Sequence, residues 1–257
     1  MESEAGRAVD PHDGELSELR LLHLADSALP IGGLAHSFGL ESLTARDVLR
    51  VADLPAFLRG FLEEAGLVEA VFCRAAYALA GPNTLAFSLE RWIELNDSLS
   101  ARKPARESCA GSAALGENFL RAVLALGDFP VLREAGLVVA KRTFGEPVRP
   151  ASDENRPVIV HHSTAFGLAS GVLRIDEDRA VRAFLHQLLA SLVSACQRLL
   201  PLGQSAATRI LWDLKPAMIH TAGCSAACSL DDACSFTPVL DWGAMEHPAL
   251  TTRLFIS

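Results

Sequence analysis

Residues 177–200 read EDRAVRAFLHQLLASLVSACQRLL, and this stretch decides the fold class. Its apolar side chains recur at steps of three and four residues, which is the period of an amphipathic α-helix. The stripe consists of Val181, Phe184, Leu185, Leu188, Leu189, Leu192, Cys196 and Leu199. The polar residues Arg179, Arg182, Gln187 and Arg198 fall largely outside it. The pattern predicts a long helix with one face buried against another element.

A second strong helical pattern covers residues 54–80. Asp53 stands where a residue can cap the helix, and Pro55 is tolerated in a first helical turn. The predicted apolar face consists of Leu54, Phe57, Leu58, Phe61, Leu62, Ala65, Val68 and Phe72. Gly81 and Pro82 end the helix, because this pair favours a turn.

Further helices are predicted at residues 16–28, 35–46, 84–99, 106–126, 129–142, 163–172 and 205–214. Sustained alternation of apolar and polar residues is absent, and the strand-like run VIVHH at 158–162 is too short to found a sheet. We therefore predict an all-α, single-domain orthogonal bundle of roughly eight to ten helices over residues 19–257. Residues 1–18 are predicted to form a disordered acidic leader, and residues 145–157 the longest internal loop.

The composition narrows the class of protein. Half of the residues are apolar, but only 6% are aromatic, and an Ala- and Leu-rich composition favours helices over strands. A formal net charge of −8 without a basic stripe argues against nucleic-acid binding. No apolar run is long enough to span a membrane, and the acidic N-terminal sequence is neither a signal nor a transit peptide. We expect a cytoplasmic protein whose six cysteines are reduced, with Cys73 and Cys196 in the core.

Several catalytic motifs are absent from the sequence. It has no GxxxxGK phosphate loop, no GxGxxG after a strand, no HExxH and no GxSxG. We therefore expect that the chain does not hydrolyse nucleotide itself.

Three stretches mix Gly or Pro with polar and apolar residues, which a plain helical core does not require. The first is ALPIGGLAHSFGLES at 28–42, where Pro30 and the following glycines break the helical pattern until about Ala35. On one helix, His36 and Glu41 would lie on adjoining faces. This pair is compatible with a metal site, a proton shuttle or a hydrogen-bonded structural histidine.

The second stretch is LLPLGQSAATRIL at 199–211, which predicts a corner between two helices because Pro201 and Gly203 interrupt the pattern. Gln204 at the start of the new helix can satisfy exposed backbone groups or bind a ligand. The third stretch is MEHPALTTRLFIS at 245–257, where an apolar end follows a polar approach. We expect this tail to dock on the chain's own core or on another protein.

Together the three stretches resemble the UreF family of urease accessory proteins. The first matches the family pattern LPIGxxxxSxGLE, the second PLGQxxxQRxL and the third MxHExxxSRLFxS. The matches are not complete: Leu34 stands where members often carry an aromatic residue, and Thr208, Pro248 and Thr252 replace the usual Gln, Glu and Ser. A weaker match covers Arg102 to Glu107, which we interpret as an exposed salt-bridge pair.

The resemblance implies a non-catalytic helical scaffold without a cofactor. With the accessory protein UreD/UreH, such a scaffold recruits the GTPase UreG and couples its nucleotide state to nickel insertion into apo-urease; family members form homodimers. The resemblance implies partner-binding roles for Pro30, Gly32, Gly33, Leu34, His36, Ser37, Glu41, Gln204, Arg209, His247, Arg253, Leu254 and Phe255. It also implies that the tail becomes ordered when the second accessory protein binds.

The alternative hypothesis is a helical metal-dependent enzyme. Its candidate ligands are His36 with Glu41, the consecutive histidines 161 and 162, or the late group of His220, Cys224 and Cys228. Spacings of four residues place the late group on one face of a helix, where it can hold a soft divalent ion.

Overall fold

The computed structural model describes residues 13–81, 84, 86–138 and 158–256. Within these ranges the helices are α1 (Asp13–Leu24), α2 (Leu40–Ala45), α3 (Leu54–Phe61), α4 (Leu67–Ala78), α5 (Leu89–Ala101), α6 (Arg106–Leu124), α7 (Pro130–Leu137), α8 (His162–Val172), α9 (Glu177–Leu199), α10 (Gln204–Asp213), α11 (Lys215–Ala227) and α12 (Pro238–Glu246). None of the described residues belongs to an extended strand, so the predicted all-α bundle is confirmed.

α3 and α4 form one continuous rod, as the pattern over residues 54–80 predicts. Between them, Leu62–Gly66 make a π-helical turn, which widens the helix without ending it. The predicted cap by Asp53 is wrong. The backbone of Asp53 is already helical, and its carboxylate accepts the N–H of Arg50 at 3.2 Å instead.

α8 lies at the centre of the bundle, because every residue from His162 to Gly171 is buried. It packs backbone to backbone against α4: a Cβ placed on Gly167 would lie 2.0 Å from the carbonyl oxygen of Cys73. A Cβ on Gly116 of α6 would likewise lie 2.2 Å from the carbonyl oxygen of Val160. Glycine at these positions therefore allows contacts that any side chain would block.

α9 runs over Glu177–Leu199, close to its predicted bounds, and its apolar stripe packs into the core. Asp176 caps it by accepting the N–H of Arg179 at 2.8 Å. Arg74 of α4 meets the first turn of α9, with Nη2 at 2.5 Å from Asp178. Gln187 differs from the prediction: it is buried, and its Nε2 donates to the carbonyl of Leu24 at 3.4 Å.

Two predictions near the N-terminus are wrong in part. The helix expected over residues 35–46 begins only at Leu40, because Phe38 and Gly39 have positive φ angles of 51° and 91°. α1 begins at Asp13, so residues 13–18 of the predicted leader are helical. Residues 1–12 lie outside the described residues.

Two helices, α11 and α12, were not predicted. The sequence of α11 is rich in Ala and has Gly, Ser and Cys in its second half, which leaves little apolar periodicity to detect. α12 has only nine residues, and its buried residues are Gly243 and Ala244. The predicted loop at 145–157 and the end of the helix predicted over 129–142 lie outside the described residues. No helix in the described ranges is both long and apolar enough to cross a membrane.

Candidate partner-binding site

The first sequence motif folds into a non-helical elbow, which we define as residues 28–39. Two glycines in the left-handed region bound its turn, Gly32 with φ 80° and Gly39 with φ 91°. The single 3-10 turn Gly33–Ala35 lies between them. Because residues with a Cβ rarely adopt these angles, the glycines are what allow the chain to reverse before α2 begins.

The C-terminal tail, defined as residues 250–256, docks on this elbow. The N–H of Ile256 donates to the carbonyl of Ala35 at 2.8 Å. The N–H groups of Leu254 and Phe255 donate to the carboxylate of Glu41 at 2.6 and 3.2 Å. The first and third motifs therefore build one site, which we call the tail-docking site.

His247 extends the same site on the other side of Glu41. Its ring is fully buried, with Nε2 at 2.8 Å from Glu41 Oε2. Nδ1 faces Glu107 Oε2 at 3.5 Å, which is too long for a good hydrogen bond. Two carboxylates thus flank one buried imidazole.

This geometry corrects the prediction for the segment from Arg102 to Glu107. Glu107 faces His247, whereas Arg102 donates to the carbonyl oxygens of Leu230 and Ala233 at 3.0 and 2.9 Å. Glu107 thus contacts the turn after α12, and Arg102 contacts the segment between α11 and α12. The two residues do not form the exposed salt bridge that we predicted.

Arg198 joins the end of α9 to the tail-docking site. Its guanidinium lies over the ring of Phe255, 4.2 Å from the centroid, in a cation–π arrangement. The same group donates to the carbonyl of Leu34 at 2.7 Å and to that of Leu254 at 3.4 Å. One side chain therefore ties the elbow and the tail to the helix before the second motif.

α12 holds His247 in place through a glycine contact with α2. A Cβ on Gly243 would lie 2.7 Å from the carbonyl oxygen of Gly39 and 2.8 Å from Leu43 Cγ. An ion pair between Arg46 and Glu246, at 2.5 Å, closes the edge of this contact. The close approach brings the turn after α12 directly onto Glu41.

The thirteen predicted partner-binding residues fall into two groups. Those buried in the chain itself are His36, Ser37, Glu41, His247 and Phe255. Those wholly or partly exposed are Pro30, Gly32, Gly33, Leu34, Gln204, Arg209, Arg253 and Leu254. His36, Glu41 and Phe255, which we expected on a contact surface, are buried when the tail is docked. Glu41 and Phe255 take part in the docking itself.

The second motif forms the predicted corner, since α9 ends at Leu199 and α10 begins at Gln204. Of the two roles left open for Gln204, the structure shows no side-chain cap at the start of α10. Its Oε1 accepts from Nε2 of Gln197 at 2.7 Å across the corner. Both Gln204 and Arg209 are exposed, and neither is among the residues of the tail-docking site.

The residues of the metal-enzyme hypothesis are not assembled into one site. Glu41 binds the tail and His247, while His36 precedes α2 and stacks near Phe38, with ring centroids 5.9 Å apart. His220 Nε2 and Cys224 Sγ are 3.5 Å apart on the exposed face of α11. Across the described part of the chain, no three His, Cys, Asp or Glu residues come close enough to hold a metal ion.

His161 belongs to a buried polar network between α5, α6 and α8. Its Nε2 lies 2.8 Å from Ser100 Oγ and its Nδ1 lies 3.1 Å from Ser112 Oγ. Asn96 accepts the backbone N–H of His161 at 3.0 Å and the hydroxyl of Thr164 at 2.7 Å. The network satisfies the polar groups of His161 and Thr164 at the start of α8, which is a structural role.

His162 points the other way, into an aromatic cluster with Phe119 and Phe184 at centroid distances of 5.6 and 5.4 Å. Burial lowers the pKa of His162 to about 4, because the apolar surroundings disfavour the charged ring. Between pH 4 and 6.5 the unfolded chain therefore binds a proton at this residue that the folded chain does not bind. Acid must destabilise the fold through this group.

We predict that His162→Phe makes the fold less sensitive to acid. For the native chain, His162 should lower the free energy of unfolding by about 2 kcal/mol between pH 7 and pH 5. Urea unfolding at pH 7 and pH 5 gives the free energy of unfolding at each pH. The difference between the two values should be smaller in His162→Phe than in the native chain by about 2 kcal/mol. The matched control His220→Ala removes an exposed imidazole and should keep the native loss. Equal losses in all three proteins would contradict the assignment of a buried neutral ring.

Sequence reasoning missed two residues of the tail-docking site. Arg198 was noted only as a polar residue outside the α9 stripe, and Gly243 was not singled out. A signal existed for Arg198, because it lies directly before the second motif. No sequence signal predicts the contact of Gly243 with Gly39.

Together, the fold and the site define a class of all-α proteins in which helix-breaking motifs build a docking surface for the chain's own tail. Comparison with known proteins then gives the family. The family model for UreF matches residues 48–215, about two thirds of the chain. The chain therefore belongs to the UreF family of urease accessory proteins.

Individual relatives match nearly the whole chain. The urease accessory protein UreF of Corynebacterium glutamicum (strain R) is 31% identical over 243 residues, covering 94% of this chain and 98% of that protein. The UreF protein of Bradyrhizobium sp. (strain ORS 278) is 31% identical over 259 residues, covering 99% of both chains. That of Bacillus sp. (strain TB-90) is 25% identical over 244 residues. The match to the Bradyrhizobium protein thus spans nearly the whole of this chain.

Proposed function

We propose that the chain acts as a non-catalytic scaffold in urease maturation. In this role it binds the accessory protein UreD/UreH, and the two together recruit the GTPase UreG. The complex passes nickel, its cargo, to apo-urease in the cytoplasm, and the scaffold works as a homodimer. Membership of the UreF family supports the urease context of this proposal.

The way the tail is anchored is the observation that carries the proposal. Phe255 is buried, whereas its neighbours Leu254 and Ile256 are about half exposed. Leu34 of the elbow is also half exposed. The guanidinium of Arg198 donates to the backbone carbonyls of both Leu34 and Leu254. Three large apolar side chains therefore stand close together on a fixed backbone, which is typical of a protein-binding surface.

Recruitment alone does not couple nucleotide state to nickel delivery. A scaffold shifts the equilibrium between two states of UreG only if it binds one of them more tightly. The proposal therefore requires that the complex of this chain with UreD/UreH has different affinities for the two nucleotide states of UreG.

The double variant Leu254→Ser with Ile256→Ser tests this surface. It keeps Phe255 and every backbone contact of the tail, so the tail should remain docked. We expect it to bind purified UreD/UreH at least about tenfold more weakly than the native chain, because it loses central apolar contacts. The matched control is Leu126→Ser with Leu137→Ser, which removes two exposed leucines, one just after the end of α6 and one at the end of α7.

Binding is measured by titration of the purified proteins, and urease activation by co-expression in cells. Native affinity in the tail double variant, with unchanged thermal unfolding, would contradict the proposed surface. Equal weakening in the control variant would also contradict it. Nucleotide hydrolysis by the purified chain alone would contradict the non-catalytic role.

A further inference from the structure

α12 presents an exposed apolar face that the tail-docking site does not use. The face consists of Phe236, Val239, Trp242 and Met245, with exposed fractions between 41% and 80%. The three members on the helix itself are spaced three residues apart, so they fall within about 120° of its circumference. The opposite side of α12 carries the buried residues Gly243 and Ala244, packed on α2.

Such a face is unusual for a surface in water. Single exposed apolar residues are normal, but a row of them on one helix marks an interaction site. Trp, Phe and Met are also the residue types enriched in the cores of protein interfaces. We call the four residues the α12 face.

The charges around the α12 face indicate the chemistry of its partner. Residues 216–252 contain no Lys or Arg but carry four acidic residues. Of these, Glu246 is paired with Arg46. The carboxylates of Asp231, Asp232 and Asp241 form no ion pair with any residue that the structure describes; Asp232 and Asp241 accept only hydroxyl hydrogen bonds, from Ser229 and Thr237.

The nearby cations are already engaged within the chain. Lys103 pairs with Glu69, and Arg102 donates to the carbonyls of Leu230 and Ala233. The surroundings of the α12 face therefore favour a cationic partner and disfavour an anionic one, such as a nucleic acid or an anionic membrane.

The α12 face is also held in a fixed position. Gly243 and Gly39 allow direct backbone contact between α12 and α2. The N–H of Phe236 donates to the carboxylate of Glu64 at 2.8 Å, which ties the start of the face to the π-helical turn. A partner would therefore lose little affinity to ordering of this surface.

We propose that the α12 face binds a protein segment with an apolar stripe flanked by Lys or Arg residues, such as a basic amphipathic helix. A second copy of this chain is a poor occupant, because a symmetric contact would bring the same unpaired aspartates together. The inference does not depend on the proposed role in urease maturation. That role rests on the exposed residues of the elbow and the tail, and none of them belongs to the α12 face.

The test uses a synthetic amphipathic helix with a leucine stripe and lysine flanks, and a second peptide with the same stripe and glutamate flanks. Trp242 serves as the fluorescent probe in a Trp212→Phe background, because Trp92, the remaining tryptophan, is fully buried. We expect saturable binding of the lysine peptide with a blue shift of Trp242. Phe236→Ser with Met245→Ser should weaken this binding by about tenfold or more.

The matched control, Leu19→Ser with Leu22→Ser, removes two exposed leucines from α1 and should bind the lysine peptide as the parent does. Binding of the glutamate peptide with equal affinity would overturn the proposal. So would an unchanged affinity in the α12 variant. If that variant halves the mass of the protein in solution, the occupant is a second copy, and the proposal fails on that ground. None of these outcomes depends on UreD/UreH or urease.

Discussion

Gly167→Ala is expected to destabilise the chain by about 3 kcal/mol or more, a large part of the stability of a typical domain. The new Cβ would lie 2.0 Å from the carbonyl oxygen of Cys73 and 2.8 Å from its carbonyl carbon. Both obstacles are backbone atoms, so no side-chain rotation relieves the clash. α4 and α8 must separate, and the buried centre of the bundle loses its packing.

Urea unfolding followed by circular dichroism measures this effect. Gly223→Ala is the matched control, because Gly223 lies inside α11 with no neighbouring atom within 4 Å of its Cβ position. There the same substitution should stabilise the fold by about 0.5 to 1 kcal/mol, since alanine favours helix. If the two variants have equal stability, the close contact of α4 with α8 is not as described.

Glu41→Ala is expected to release the tail and to destabilise the fold by about 3 kcal/mol. The substitution removes the acceptor of two backbone N–H groups, Leu254 and Phe255, and the partner of the buried ring of His247. Unpaired groups of this kind are costly in the interior, so undocking of the tail is the cheaper outcome. Amide hydrogen exchange at residues 254–256 should become fast, and trypsin should cleave after Arg253.

Glu246→Ala is the control for Glu41→Ala. It removes a carboxylate from the same region, but Glu246 is partly exposed and pairs only with Arg46 at the surface. We expect a loss below about 1 kcal/mol and normal protection of the tail. Slow exchange of the tail amides in Glu41→Ala would mean that Glu41 does not hold the tail.

Local sequence patterns predicted the helices whose apolar faces are strong. α9 and the rod of α3 and α4 followed from periodicity, because large side chains at regular steps must be buried together. α12 was missed because its inner face uses Gly243 and Ala244, whose small side chains leave no such pattern. There the backbones of the two segments pack directly against each other, without large side chains between them. A search for apolar periodicity does not detect such a contact.

The candidate site was predictable in its members but not in its geometry. The motifs identified Glu41, His247 and Phe255, yet their mutual contacts join residues more than 200 positions apart. His36 was expected to share a helix with Glu41, but the left-handed Gly39 separates them. Exposure was also misjudged, since Glu41, expected on a contact surface, is buried and binds the chain's own tail.

The pairing of Glu41 with His247 also bears on how the chain is made. The two residues are 206 positions apart, and at about 5 to 20 residues per second the ribosome needs roughly 10 to 40 seconds to add the second after the first. During that interval the carboxylate of Glu41 cannot form its hydrogen bond with the ring of His247. The elbow of a nascent chain therefore lacks this contact and stays accessible to chaperones until His247 has been synthesised.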